Sequence, residues 1–95
     1  MTFDDLKFDK HPNGIEGCVA ARLDLYNGIT ISVVGGPHLY GNGISSFEVA
    51  AWRSDNTEWL QLSEYDDVLG WRSKEEINEL MQKLLTEHKA SNLSI

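Results

Sequence analysis

Apolar and polar residues alternate in two neighbouring stretches of the chain, with the period of two that is typical of half-buried strands. In VAARLDL (residues 19–25) every odd-numbered position is apolar, and in ITISVV (residues 29–34) the odd-numbered positions are apolar again. We therefore predict two strands, each with one face against a core and one face towards solvent.

The connection Tyr26-Asn27-Gly28 allows the register between these strands to be tested. A two-residue Asn-Gly turn would place Leu25 opposite Thr30, which mixes apolar and polar side chains on one face. A three-residue loop with Gly28 in the left-handed conformation pairs Leu25 with Ile29 instead, and every apolar residue then lies on the same face. The pattern predicts the three-residue loop.

Two further strands are predicted downstream. SFEVAAWR (46–53) alternates so that Phe47, Val49 and Ala51 face inward, and the turn SDN (54–56) leads to TEWLQL (57–62) as the fourth strand. In this fourth strand we expect the two leucines to face inward and Trp59 to be partly exposed.

The clearest periodicity belongs to a helix, SKEEINELMQKLLTEH (73–88). Ser73 is a typical N-cap, and Glu76 stands three residues later, which completes a capping box. Acidic residues come early and basic residues late, as the helix dipole favours. The apolar residues recur every three or four positions and form one stripe: Ile77, Leu80, Met81, Leu84 and Leu85.

These elements predict a single α+β domain over residues 1–95, with an antiparallel four-stranded sheet and one C-terminal amphipathic helix packed on one face, in the order ββββα. Residues 1–17 carry turn signals around Phe3, Leu6 and Phe8, and we expect an irregular N-terminal arm or short helix with its phenylalanines against the body. Residues 90–95 have no period and are expected to fray.

Charge and composition restrict the function. The formal net charge of −7 disfavours direct binding to nucleic acid or to anionic membranes. The excess is concentrated in residues 46–67, which contain six acidic residues and one arginine. No apolar run approaches the roughly 20 residues of a membrane span. The acidic N-terminus and the single cysteine predict a cytoplasmic protein.

The stretch GGPHLYGNG (35–43) is the most site-like segment. Gly36 and Gly41 have the spacing of a phosphate-binding loop, but the lysine and hydroxyl that should follow are absent, and a strand follows instead of a helix. We interpret the glycines as conformational devices in a long strand connection. The alternative is a small-ligand-binding or enzymatic site that uses His38 and Tyr40.

Metal binding and catalysis find no support in the spacing of chemically active residues. The three histidines are far apart, and Cys18 has no neighbouring cysteine. Asp9, Asn13 and Gly14 match a calcium loop in part, but Ala20 stands where a bidentate glutamate is required. The carboxylates of 64–67 (Glu64, Asp66, Asp67) are interpreted as capping and solvated groups. We therefore predict no cofactor, no metal and no catalytic residue.

The tryptophans give the best functional indication. Trp71 precedes the helix cap and is expected to cover the end of the core. Trp52 and Trp59, by the predicted strand faces, point away from the helix on the open side of the sheet. Aromatic anchors within a charged rim are typical of protein interfaces. The charged residues near this pair are Glu48, Asp55 and Glu58.

Three segments, NGITISVVGGPHLYG, FEVAAW and DDVLGWRSKEEINELMQKL, together resemble small uncharacterised proteins encoded by tailed bacteriophages. The resemblance carries no catalytic motif. It implies an accessory protein that acts on a host or defence protein, in the host cytoplasm. The sequence thus predicts a non-enzymatic protein that contacts a protein partner, either a host factor or a second copy of itself.

Overall fold

The computed structural model describes residues 2–62 and 67–93. A five-stranded antiparallel sheet, in the order β1-β2-β3-β4-β5, is followed by one C-terminal helix. The elements, in chain order, are a 3-10 helix (Phe3–Asp5), β1 (Asp9–Lys10), β2 (Val19–Asp24), β3 (Ile29–Gly35), β4 (Phe47–Arg53), β5 (Val68–Arg72) and α1 (Lys74–Leu93).

The predicted hairpin between β2 and β3 is confirmed. Leu23 lies opposite Ile31, and the Leu25 N–H donates to the Ile29 carbonyl at 2.9 Å. Gly28 has φ +89°, the left-handed conformation that the three-residue loop requires. Because this register places every odd-numbered residue of both strands on one face, the apolar side chains are gathered for burial.

The predicted four-stranded sheet and its order ββββα are wrong, because the sheet has five strands. Two differences produce the change. The arm predicted as irregular contributes β1, whose Asp9 and Lys10 pair with Ala20 and Val19 of β2. The charged pair Asp9-Lys10 has no apolar alternation, so periodicity cannot reveal it as a strand.

The second difference concerns the edge of β4. The predicted fourth strand (57–62) makes only an isolated bridge, between Trp59 and Trp52, flanked by a bond from the Leu60 N–H to the Ala51 carbonyl at 2.9 Å. The rest of that edge is occupied by β5, which pairs with Phe47 to Ala50. Leu60 and Leu62 still pack against the core, and Trp59 is 53% exposed, as predicted.

The capping box at the start of α1 is confirmed. The Ser73 N–H donates to the Glu76 carboxylate at 2.9 Å, and the Glu76 N–H donates to the Ser73 hydroxyl at 3.2 Å. The stripe that faces the sheet includes Ile77, Met81 and Leu84, all buried. The helix ends at Leu93, beyond the segment 73–88 that the periodicity predicts.

The core lies between α1 and the face of the sheet that carries the odd-numbered residues of β2, β3 and β4. The N-terminal segment closes one end of it, since Phe3 and Leu6 are buried there and the Phe3 ring lies 5.2 Å from that of Phe47. The Phe3 N–H donates to the Asn78 side-chain oxygen on α1. The N-terminal segment therefore belongs to the folded body.

Candidate functional site

The face of the sheet that points away from α1, which we term the open face, is formed by even-numbered residues. The strand register aligns Arg22 with Ser32 and Ser32 with Ala50 across β2, β3 and β4, and aligns Thr30 with Trp52. Since alternate residues of a strand project to opposite sides, these residues lie on the reverse of the core. The described side chains of α1 that are buried belong to the core, so in the described part of the chain the helix does not cover these residues.

Trp52 and Trp59 form a pair on the open face. Their ring centroids are 5.6 Å apart with an interplanar angle of 45°, within the range that aromatic pairs prefer. The backbone bridge between them holds Trp59 beside β4, and the Arg53 N–H bond to the Glu58 carbonyl at 2.8 Å closes the turn before it. The sequence prediction that both indoles lie away from the helix agrees with this geometry.

Arg22 reaches across the open face to the tryptophan pair. Its guanidinium carbon lies 5.2 Å from the Trp52 ring centroid, a distance at which a cation is attracted to the negative face of the indole. A depression of about 320 Å³ is lined by Arg22, Ser32, Trp52, Thr57 and Trp59. The tryptophan pair, the arginine and this depression constitute the candidate site.

A second depression of about 500 Å³ shares Arg22 and Ser32 with the first and extends towards β1. It adds two basic or titratable side chains, Lys10 and His11, and the small floor residues Ala20 and Val34. The cationic side chains that line this second depression are Arg22 and Lys10, in a chain whose net charge is −7.

The carboxylates predicted to surround the tryptophans are spread along the length of β4 and its turn. Glu58 forms an ion pair with Arg53 at 3.9 Å, and Asp55 lies exposed in the turn after β4. Glu48 is four residues from Trp52, about 13 Å along an extended strand, and accepts the Tyr40 N–H at 3.3 Å. The charged group in contact with the tryptophan pair is Arg22, which the sequence prediction did not include.

The expectation that Trp71 covers the end of the core is wrong. Trp71 is 62% exposed and has φ +55°, and its N–H donates to the Tyr40 carbonyl at 2.7 Å. Gly70 and Trp71 stand opposite Glu48 at an irregularity in the β4–β5 pairing. In the sequence, Gly70 was the residue that could have indicated this, since a glycine within a strand often marks a bulge, and a bulge changes the direction of neighbouring side chains.

The Gly-rich loop is held by its own contacts. A side chain at Gly41 would place its Cβ 2.5 Å from the Phe47 Cα, and one at Gly35 would meet the Gly43 Cα at 2.5 Å. The Asn42 side-chain oxygen accepts the N–H groups of the next turn, from residues 44 to 46. Close backbone packing thus accounts for the glycines without a bound ligand.

The loop presents His38 and Tyr40 at its surface. Both side chains are exposed, and His38 has φ +68°. Cys18 is buried nearby, and its thiol donates to the Pro37 carbonyl at 3.1 Å, which fits a core residue. Within residues 2–62 and 67–93 no group of three His, Cys, Asp or Glu side chains is placed to hold a metal ion.

Some predicted residues cannot be placed. Glu64, Tyr65 and Asp66 lie outside the described residues, and Asp67 is exposed just before β5.

Across the part of the chain that is described, no helix is both long enough and apolar enough to cross a bilayer. Comparison with known proteins finds no matching family model, no matching curated protein and no matching solved structure.

Proposed function

We propose that this protein acts by binding another protein through the open face, with Trp52 and Trp59 as anchors and without catalysing a reaction. The observation that supports this proposal is the tryptophan pair, held in contact under Arg22 on a face that no element of the described chain covers. Trp and Arg are the residue types most enriched among interface residues that carry large shares of the binding free energy.

The geometry favours binding because the site is already ordered. The backbone bridge and the turn bonds hold Trp59 next to Trp52 before any partner arrives. A side chain fixed in its bound position loses little conformational entropy on association. Covering the exposed half of the Trp59 indole would therefore contribute apolar burial at a small entropic cost.

The partner that fits has carboxylates facing Arg22 and Lys10, which line the adjoining depression, because complementary charges favour the correct encounter. The resemblance to small tailed-bacteriophage proteins makes a host or defence protein the expected class of partner. The competing hypothesis is a ligand site at His38 and Tyr40, and the same experiment tests it.

The test measures the affinity of purified variants for a partner captured from host lysate and then purified. We expect Trp59→Ala to weaken binding at least about 10-fold, the size typical of an interface anchor, and Arg22→Ala to weaken it less. Ile44→Ala is the matched control, since Ile44 is 78% exposed just after the Gly-rich loop and away from the pair. Circular dichroism melts check that each variant is folded.

Loss of binding in His38→Ala, with Trp52→Ala and Trp59→Ala unchanged, would assign the site to the Gly-rich loop and contradict the proposal. A thermal-shift screen of nucleotides, metal ions and metabolites tests the same competitor without a protein partner. A saturable shift that His38→Ala abolishes would count against a purely protein-binding role.

A further inference from the structure

The outer edge of β2 is only partly covered. β1 pairs with Val19 and Ala20, and in the described part of the chain it pairs with no residue of β2 beyond them. Arg22 and Asp24 are both exposed. Most of the length of β2 is therefore an edge strand, which offers backbone N–H and C=O groups for pairing with another strand.

The direction of these backbone groups follows from the pairing. The Leu25 N–H donates to Ile29 across the β2–β3 hairpin, so the odd-numbered residues of β2 bond to β3. The Cys18 carbonyl accepts the His11 N–H on the opposite side, so the even-numbered residues face the outer edge. The N–H and C=O groups of Arg22 and Asp24 thus point outward at the uncovered part of the edge.

This stretch of edge is complementary to itself. When two copies of β2 run antiparallel about a two-fold axis at Leu23, Arg22 of one copy lies opposite Asp24 of the other. Both positions have outward backbone groups, so each Arg22–Asp24 couple forms a hydrogen-bonded pair of the ladder. Both side chains lie on the open face, so opposite charges meet across the strands, which stabilises such pairs.

We propose that two copies of this chain associate through the edges of β2 in this register, forming one continuous sheet with a charge pair on either side of the two-fold axis. The half-buried Leu23 side chains then meet on the core side at the non-hydrogen-bonded position, where opposite residues approach most closely. A second copy is the favoured occupant of the edge because the stretch Arg22-Leu23-Asp24, paired antiparallel with itself, places each charged residue opposite one of the other sign.

Each of the two charged side chains has a contact within its own copy. Asp24 uses Oδ1 to accept the Tyr26 N–H at 2.8 Å, which leaves its second oxygen for the arginine of the other copy. The guanidinium of Arg22 lies over Trp52, on the β4 side, and is exposed, so in the dimer this flexible side chain turns from the ring towards the outer edge of β2 to donate to the aspartate.

The dimer has a consequence for the open face. A two-fold axis perpendicular to the sheet keeps both open faces on the same side, so the two Trp52–Trp59 pairs are presented together. A partner with two matching sites would then bind with avidity above that of one copy. The dimer itself does not rest on the proposed function, because self-association is measured without any partner.

Charge exchange provides the test, with the mass of the purified chain followed by sedimentation velocity over a range of concentrations. The wild-type chain is expected to be a dimer. Arg22→Glu and Asp24→Arg each place like charges opposite one another, and each should raise the dimer dissociation constant at least about 10-fold. The double variant Arg22→Glu/Asp24→Arg restores opposite charges and should restore the dimer.

Two further variants separate the effect from general ones. Glu79→Arg makes the same change in net charge as Asp24→Arg on the exposed side of α1, and it should leave the dimer intact. Asp24→Asn keeps an acceptor for the Tyr26 N–H while removing the charge, and should weaken the dimer less than Asp24→Arg. Hydrogen exchange at the Arg22 and Asp24 amides should slow as the dimer forms.

A monomer at all concentrations would overturn the proposal. So would a dimer that both single charge reversals leave unchanged, since another surface would then hold it, or a double variant that remains monomeric although folded.

Discussion

The backbone at Trp71 is strained, and burial of its side chain does not offset this strain. Its φ of +55° lies in the left-handed region, which costs a residue with a Cβ about 1–2 kcal/mol. The indole is 62% exposed and so makes little use of the core. The stability of the fold therefore gives no reason for a tryptophan at position 71.

Comparison of glycine with alanine at position 71 tests this strain. Both changes remove the indole, but only glycine is free in the left-handed region, so Trp71→Gly should be more stable than Trp71→Ala by about 1 kcal/mol. Urea unfolding measures the difference. At Trp59, whose φ is not positive, the order should reverse, because glycine has the larger unfolded-state entropy. The same order at both positions would contradict the assignment of strain to Trp71.

At the residue scale, the sequence predicted the environment of Trp59 and missed that of Trp71. The two leucines that follow Trp59 fix which face of the segment is buried, so its exposure follows from alternation. Trp71 lies after Gly70 and before the helix cap, where no alternation extends far enough to define a face. Hydrophobicity alone suggested burial, but the bulge turned the side chain outward.

At the scale of elements, the helix is the best-determined part of the chain because its signals are local. The capping box involves residues three positions apart, and the buried stripe repeats within α1 itself. Such features need no partner element in order to be recognised. The edge of β4 is the opposite case, since either 57–62 or 68–72 could pair with it, and the structure uses a bridge from the first and a strand from the second.

The capping box makes a measurable contribution to stability. Ser73→Ala removes the hydroxyl that accepts the Glu76 N–H, and should lower the free energy of unfolding by about 1 kcal/mol. Ser73→Asp keeps an acceptor at the N-cap and is the matched control, expected to unfold at nearly the wild-type urea concentration. If the two variants lost the same stability, the hydroxyl would not be the stabilising group.

The same box predicts a pH dependence. The Ser73 N–H, which donates to the carboxylate, lowers the pKa of Glu76, with further contributions from the Ser73 hydroxyl and the Arg72 guanidinium. A lowered folded-state pKa stabilises the protein above the ordinary glutamate pKa, and this stability is lost as pH falls through the folded-state value. Glu76→Gln should therefore show a shallower loss of stability with acid, measured by urea unfolding at several pH values.

At the scale of the whole molecule, the core is completed by the N-terminal residues, which are far in sequence from the residues that they contact. Phe3 packs against Phe8 and Phe47, and its N–H donates to Asn78 on α1, so it joins the sheet to the helix. A cluster of three phenylalanines at the end of the core is a tertiary feature, because its members come from the arm and from β4.

Phe3→Ala tests the role of this segment. Because the ring is buried, its loss should lower the free energy of unfolding by about 3 kcal/mol, as for other buried phenylalanines. Ile44→Ala, at a side chain that is 78% exposed, should change it by less than about 0.5 kcal/mol. An unfolding midpoint for Phe3→Ala equal to that of Ile44→Ala would show that the arm is not part of the cooperative unit.

The sequence by itself determined the features that depend on neighbours along the chain: the β2–β3 register, the inward face of β4, and the helix with its cap. The strand features are set by a period of two and by a turn conformation that glycine adopts easily, and the helix is set by its own period and by the cap residues Ser73 and Glu76. The tertiary structure alone decided the number of strands, the position of Trp71 and the placement of Arg22 over Trp52. These depend on which distant segments occupy a sheet edge or face, and that choice is made by pairing and packing between residues that the linear pattern does not relate.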